Sequence, residues 1–312
     1  MTKAANPANA ARDATVRFRT ARADDLHACF EIWRDGINEY MARLNLPQIP
    51  AEPGSIVRLH EHLRATDPDR FVVATRQAGD RRERVIGFTS AVRRDDLWFL
   101  SMLFIRPGEQ GAGLGRALIA RILPSDDATL ATATDTAQPI ANALYAGLGI
   151  VPRMPLFSLV GRPDRDGAFD PLPEGVVVDE FDAVPRAVES LDRDVLGFAH
   201  PDDHRFVRLE GRRGFVYRRD DAVLGYGYAS EVGRVGPVAV RDEALLPAVL
   251  GHLLTSIVPR GASAVWVPGA AGGAVVPLLR AGFRIEGFPV LLCWTRPFAD
   301  FSRYLPISPG LL

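Results

Sequence analysis

Residues Leu97 to Leu123 read LWFLSMLFIRPGEQGAGLGRALIARIL. Leu97–Ile105 is almost continuously apolar and bulky, the pattern of a strand buried on both faces of a sheet. Arg106 and Pro107 end it, because proline has no N–H to give to a ladder. Leu114, Leu118 and Ile122 then recur every four residues, which predicts a helix with one apolar face. Between strand and helix lies Gln110-Gly111-Ala112-Gly113-Leu114-Gly115. Its three glycines let the backbone come close to another molecule, and the first amides of a helix lack internal partners and carry partial positive charge. Such a turn is an anion site whose usual occupant is a phosphate. A P-loop would end in Gly-Lys-Ser/Thr, and the only lysine in the chain is Lys3. A dinucleotide fingerprint begun at Gly111 needs Gly or Ala where Arg116 stands. Begun at Gly113, it needs one where Leu118 stands.

The pattern that fits is Gln/Arg-x-x-Gly-x-Gly/Ala, filled by Gln110, Gly113 and Gly115 after the apolar triplet Leu103-Phe104-Ile105. It resembles the pyrophosphate loop of the GCN5-related N-acetyltransferases (GNAT). Farther on, Gln138-x-x-Ala141-x-x-Leu144-Tyr145-x-x-x-Gly149-Ile150 resembles the second motif of that family, commonly Asn-x-x-Ala-x-x-Leu-Tyr-x-x-x-Gly-Phe. Two residues depart from it: Gln138 stands for the asparagine and Ile150 for the phenylalanine. The start of the chain, a strand at Thr15 to Arg19 followed by Ala23-Asp24-Asp25-Leu26 and a helix, is similar to the opening of such a domain.

The rest of the chain fills in around these motifs. Asp24 or Asp25 caps the first helix, whose expected apolar stripe is Leu26, Phe30, Trp33 and Ile37. A proline-bearing loop, 44–53, leads to a second helix over Ile56 to Leu63. Phe71 to Thr75 and Val85 to Val92 read as paired strands across a charged turn, Gly79 to Arg84. Ala128 to Thr134 reads as a strand, and a helix runs from Pro139 to about Leu148 with Ile140, Leu144, Tyr145 and Leu148 at helical spacing. Gly149 ends it. Phe157 to Leu159 closes this half, and the Gly-, Pro- and Asp-rich segment 161–173 reads as a linker.

The second half repeats the first. Phe71-Val-Val-Ala-Thr is echoed by Phe215-Val-Tyr-Arg-Arg, and Val85-Ile-Gly-Phe by Val223-Leu-Gly-Tyr. The central strand is echoed by Arg234 to Arg241, and Leu148-Gly-Ile by Ala281-Gly-Phe. The chemistry is missing from this copy: Arg241 to Leu250 contains no glycine, and Leu278 falls where Tyr145 stands. The expected organisation is a disordered tail (1–14), a catalytic domain (15–160), the linker (161–173) and a degenerate copy (174–312). Tandem members of the family with one degenerate copy have this layout. The class expected is α/β (α+β), two GNAT-like lobes, each a mixed, mostly antiparallel sheet with flanking helices.

Composition narrows the partners. With 312 residues, 47% hydrophobic, the chain has ample material for packed cores. A net charge of −1 makes no case for nucleic acid or an anionic membrane. Cys29 and Cys293 are far apart, no apolar run reaches membrane-spanning length, and the first residues lack a secretion-signal core, so a cytoplasmic monomer or homodimer is expected. The six histidines show no clustered metal spacing. His200 and His204 flank Pro201-Asp202-Asp203, read as a solvated acidic loop, and no metal is expected.

The resemblance implies acetyl-CoA as co-substrate, held by backbone at Leu103, Phe104 and Ile105 and by Gln110, Gly111, Ala112, Gly113, Leu114, Gly115 and Arg116. Gln138 would offer an amide to the pantetheine arm. An amine of a small-molecule acceptor attacks the thioester directly in a ternary complex, and Tyr145 protonates the leaving thiolate. Glu39, Asp95 and Asp96 are the candidate bases, or a water chain serves, and Glu39, Tyr40 and Asn45 are candidates for the acceptor wall. Two other readings stand beside this one: an acetyl-CoA sensor without turnover, and a peptide or protein N-acetyltransferase.

Overall fold

The computed structural model describes residues 16–52, 54–77, 83–163 and 167–312. The tail expected over 1–14, residues 79–82 of the charged turn and residues 164–166 of the linker lie outside the described residues. By its internal contacts the chain divides into two compact units, Met1–Val92 with Leu100–Asp127, and Arg93–Phe99 with Ala128–Leu312.

The first unit is built from β1 (Val16–Thr20), α1 (Leu26–Arg43), α2 (Gly54–Thr66), β2 (Phe71–Gln77), most of β3 (Glu83–Arg94), the end of β4 (Leu97–Ile105) and the short α3 (Leu114–Ile119). The strand order is β1-β2-β3-β4. Antiparallel registers set Val16 opposite Arg76 and Phe71 opposite Ser90. A single turn of 3-10 helix, Ala23–Asp25, leads into α1. Asp25 is its capping group. The carboxylate accepts the Arg22 amide at 2.7 Å and two hydrogen bonds from Arg19, at 2.6 and 2.9 Å.

Two expectations are corrected here. The buried residues of α1 are Leu26, Cys29, Phe30, Ile32 and Tyr40, while Trp33 and Ile37 are only half-buried. Apolar residues cover so much of the first two turns that packing on the sheet, and not spacing alone, selects the inner face. Likewise β4 is buried at Leu97–Leu100 and Met102 but only half-buried from Leu103 to Ile105, where it runs out toward the glycine turn. At that end the contacts are close. A Cβ on Gly87 would lie 2.8 Å from Ile105 Cδ1, and one on Gly36 would lie 3.3 Å from Phe104. Phe104 stacks on Phe88 with ring centroids 5.8 Å apart. Behind them His60 meets Phe88 edge-on, and its Nε2 lies 3.1 Å from Met102 Sδ.

The second unit contains β5 (Thr129–Asp135), α4 (Pro139–Ala146), β6 (Val151–Gly161), β7 (Val177–Phe181), α5 (Arg186–Leu196), α6 (Pro201–Leu209), β8 (Arg213–Arg219), β9 (Ala222–Ala229), β10 (Arg234–Val240), α7 (Leu246–Ser256), β11 (Ser263–Pro268), α8 (Gly272–Arg280), β12 (Arg284–Ile285), β13 (Val290–Trp294) and β14 (Tyr304–Leu305). The strand order is β5-β13-β6-β11-β10-β9-β8-β7, antiparallel except for the β10–β11 pair. The α/β class and the mostly antiparallel sheet with flanking helices are as the sequence indicates.

β13, near the end of the chain, is inserted between β5 and β6: Cys293 pairs with Thr132 on one side and Pro152 on the other. The echoed segments of sequence form β8, β9 and β10, as their partners form β2, β3 and β4. Side chains repeat too. His204 of α6 meets Tyr226 at 5.2 Å and 72°, matching His60 against Phe88 at 5.3 Å and 73°. The core over this sheet is aliphatic, with Leu246, Leu250 and Leu253 of α7 and Leu278 of α8 fully or almost fully buried.

Candidate functional site

The glycine turn follows directly from its residues. Gly108, Gly111 and Gly113 have φ of +87°, +89° and +73°, in the left-handed region where a side chain is strained. Apart from the adjoining residues of the chain, no atom of the described residues lies within 4 Å of a Cβ built on any of the three, so the fold leaves that space open. Gly113 is the residue before α3, and the first main-chain bond of that turn runs from the Ala117 amide to the Gly113 carbonyl at 3.0 Å. The amides of Leu114, Gly115 and Arg116 precede it, in the part of a helix that has no internal acceptors. Leu114 is buried and anchors the turn, while Gly111, Ala112, Gly113 and Arg116 are exposed.

Ion pairs brace the approach to this turn. Arg106 lies 3.8 Å from both Glu31 and Asp35 of α1, and Glu109 is 2.9 Å from Arg76 of β2. Gln110 folds back, its Nε2 donating to the Ile105 carbonyl at 3.4 Å. Of the residues expected to meet the cofactor, the structure thus brings together Leu103, Phe104, Ile105 and Gln110–Arg116 in the first unit.

Gln138 and Tyr145 lie in the second unit, on α4. Gln138 is the residue before the helix, and its carbonyl accepts from the Asn142 amide and side chain at 3.0 and 2.9 Å. Tyr145 is 6% exposed. Burial, with the Cys293 thiol close by, raises its phenol well above the usual tyrosine value, so it stays protonated. The apolar face expected of this helix is only partly realised. Ile140 is 78% exposed, because it falls in the first turn, before the helix packs down, whereas Tyr145 and Ile150 are buried.

A cleft of about 600 Å³ lies in the first unit beside the end of α1, lined by Arg34, Asp35, Asn38, Glu39 and the 48–51 segment. Asn38 pins that segment, accepting the Ile49 amide at 2.7 Å and donating to its carbonyl at 3.3 Å. Glu39 lines the cleft as expected. Tyr40 is buried in the core, and Asn45 is exposed beyond the helix end. Arg34, Asp35 and Asn38 are missed by the sequence reading, although their spacing with Glu39 and Ala42 on one helix was available. Asp95 and Asp96, the other candidate bases, occupy the exposed turn between β3 and β4.

The turn after β10, which the sequence aligns with the glycine turn, has a different filling. Asp242 Oδ1 accepts the Ala244 amide at 3.0 Å, so a carboxylate of the chain itself occupies the amide of that turn. Leu278, at the place of Tyr145, is buried and has no proton to give.

One expectation about the histidines is overturned. Pro201-Asp202-Asp203 is the first turn of α6 and not a loop, and His200 and His204 are fully buried with ring centroids 4.5 Å apart. They cluster with Asp192, from α5.

Residues 33–150 match the family model described as acetyltransferase (GNAT) family, a span that includes the glycine turn and Tyr145. No curated protein matches the chain. Among solved structures, a candidate acetyltransferase from Pyrococcus horikoshii has a TM-score of 0.73 at 16% identity, over 95% of this chain and 96% of that one. A GCN5-related N-acetyltransferase from Sphaerobacter thermophilus has a TM-score of 0.56 at 18% identity, over 92% of this chain and 98% of that one. A tandem GNAT protein from the clavulanic acid biosynthesis pathway has 0.53 at 18%, over 91% and 99%. At these identities the likeness speaks to the fold.

Proposed function

We infer, from the GNAT acetyltransferase domain that residues 33–150 carry, that this chain is an acetyl-CoA-dependent N-acetyltransferase acting on the amine of a small-molecule acceptor. The observation that carries the reading is the turn from Gln110 to Arg116. Its left-handed glycines border open space, and its amides precede the first helical bond. The fold itself has no packing use for that space, whereas a pyrophosphate needs both bare amides and room.

In this reading Gly111–Arg116 bind the pyrophosphate, the backbone of Leu103–Ile105 orients the pantetheine arm and Gln138 adds a side-chain amide. Acetyl-CoA supplies the thioester that the acceptor amine attacks. Tyr145 gives its phenolic proton to the leaving sulfur, and burial keeps that proton in place at neutral pH. The cleft beside α1 receives the acceptor, with Glu39 as the first candidate for base and Arg34 and Asp35 for orienting charges. The copy over 174–312 carries no acetyl-CoA, because Asp242 already occupies its turn and Leu278 replaces the acid.

Calorimetric titration of the full chain with acetyl-CoA tests this. One site per chain, lost in Gly113→Val, is expected. Two sites would return the second copy to function, and no binding would refute the enzyme reading.

A further inference from the structure

Inside the second unit, remote in sequence from every residue given a role above, lies a buried polar group that the acetyl-transfer reading does not use. Asp192, His200 and His204 are 0% exposed, and so are Tyr226, Tyr228 and Tyr304. The matching position of the first copy is apolar: His60 packs there against Phe71, Phe88 and Met102. The second copy has placed carboxylates and phenols around its histidines instead.

Asp192 and His204 each direct one atom inward and have a hydrogen-bond partner on the other, and His200 faces a carboxylate on either side. Asp192 Oδ2 faces His204 Nε2 at 2.8 Å and His200 Nε2 at 3.5 Å, while its Oδ1 accepts from Tyr226 at 2.6 Å. His204 Nδ1 is 2.8 Å from the Tyr228 hydroxyl. His200 Nδ1 faces Asp203 Oδ2 at 3.7 Å, and Asp203 is gripped by Arg94 through bonds of 2.9 and 2.7 Å. Neither ring nitrogen of His200 has a hydrogen-bond partner, and neither has the hydroxyl of Tyr304, whose ring centroid lies 6.4 Å from that of His200. A buried imidazole and a buried phenol without partners are costly in a protein core.

We propose that Asp192 Oδ2, His200 Nε2 and His204 Nε2 form a binding site for one divalent transition-metal ion of the zinc type. Two histidines at i and i+4 with a carboxylate from a neighbouring helix are a borderline-soft donor set suited to such an ion. Donors about 2.0–2.1 Å from a tetrahedral ion stand about 3.3 Å from one another. The 3.5 Å between His200 Nε2 and Asp192 Oδ2 has that spacing and is too long for a hydrogen bond. The 2.8 Å between His204 and Asp192 is a direct hydrogen bond and opens by about half an ångström when the ion enters. The outer atoms carry what metal-bound histidines and carboxylates need: Tyr228 on His204 and Tyr226 on Asp192, with Asp203 facing His200 at 3.7 Å. With no exposed surface at the ligands, the ion is structural and ties α5 to the start of α6. This inference is independent of acetyl transfer.

The test uses the full chain without a histidine tag, stripped by chelator and titrated with Co²⁺ followed by visible absorption and with Zn²⁺ in competition. The expected result is one ion per chain, with the absorption of low-coordinate cobalt and a melting temperature that rises with metal. His200→Gln abolishes the cobalt signal, and His27→Ala, at an exposed histidine, leaves it unchanged. Tyr228→Phe removes only the outer partner of His204 and weakens binding by about 10–100-fold. It serves as the readout if His200→Gln does not fold. Failure of the wild type to take up either metal overturns the proposal. So does uptake unaltered in both His200→Gln and Tyr228→Phe, and the cluster is then a protonated His200 lodged between two carboxylates.

Discussion

Replacing His60 with leucine removes a titrating group from the core of the first unit while nearly keeping its volume. His60 is 0% exposed, and burial pushes its pKa from 6.5 down to about 4, with the Leu26 carbonyl working partly against that shift. Above pH 6.5 the imidazole is neutral in both the folded and the unfolded chain and adds no pH dependence. Below pH 6.5 the unfolded chain takes up a proton that the folded chain refuses, so stability falls as the pH falls, and the loss is complete near pH 4. The gap of about 2.5 pKa units corresponds to about 3 kcal/mol. Urea unfolding at several pH values, for wild type and His60→Leu in parallel, isolates this group because other titrations largely cancel in the difference. The wild type should lose about 3 kcal/mol relative to the variant between pH 6.5 and pH 4. A difference that stays flat over that window would refute the reasoning, and would mean that the folded chain protonates His60 as readily as water allows.

Other outcomes follow from the same structure. Tyr145→Phe should lower turnover by about 10²-fold or more with acetyl-CoA affinity retained, read as kcat against the calorimetric Kd. Gly113→Val places a β-branched residue at φ +73° and should cost about 1–3 kcal/mol in urea unfolding, besides removing acetyl-CoA binding. Asp25→Asn should flatten the acid limb. Burial raises that carboxyl, but Arg19 and the Arg22 amide outweigh it and hold it below the usual range, so its stabilising effect is complete above about pH 4 and lost below. Ile140→Glu should change stability by no more than about 0.5 kcal/mol, since that side chain already faces water.

What could be read in advance was what neighbouring residues decide among themselves. Leu97–Ile105 matches β4 residue for residue, because a bulky apolar run stopped by Arg106-Pro107 has no competing conformation. The glycines of the turn were legible as room for a close approach, whereas the positive φ of Gly111 and Gly113 emerges only from the backbone. The inner face of α1 was not, because Trp33 and Ile37 are as apolar as Cys29 and Ile32, and only the sheet chooses between the two sets. The cluster around His204 was hidden for a different reason. His200 and His204 frame a segment whose acids suggest a solvated loop, and Asp192, Tyr226 and Tyr304 come from three other elements, so no spacing rule unites them. The insertion of β13 left no trace either, since Val290–Trp294 is an ordinary apolar strand whichever edges it joins.

That insertion governs the order in which the molecule can be made. The residues of β5 and β6 are complete by residue 161, yet the strand that lies between them follows only at Val290–Trp294. Until then the nascent chain holds two unpaired strand edges, which invite pairing with other chains. The halves that look separable in the sequence are therefore joined like a zip whose slider sits at the far end. A fragment stopping near residue 160 would leave β5 and β6 without the strand between them, and adding a peptide spanning Val290–Trp294 would complete that pairing in trans.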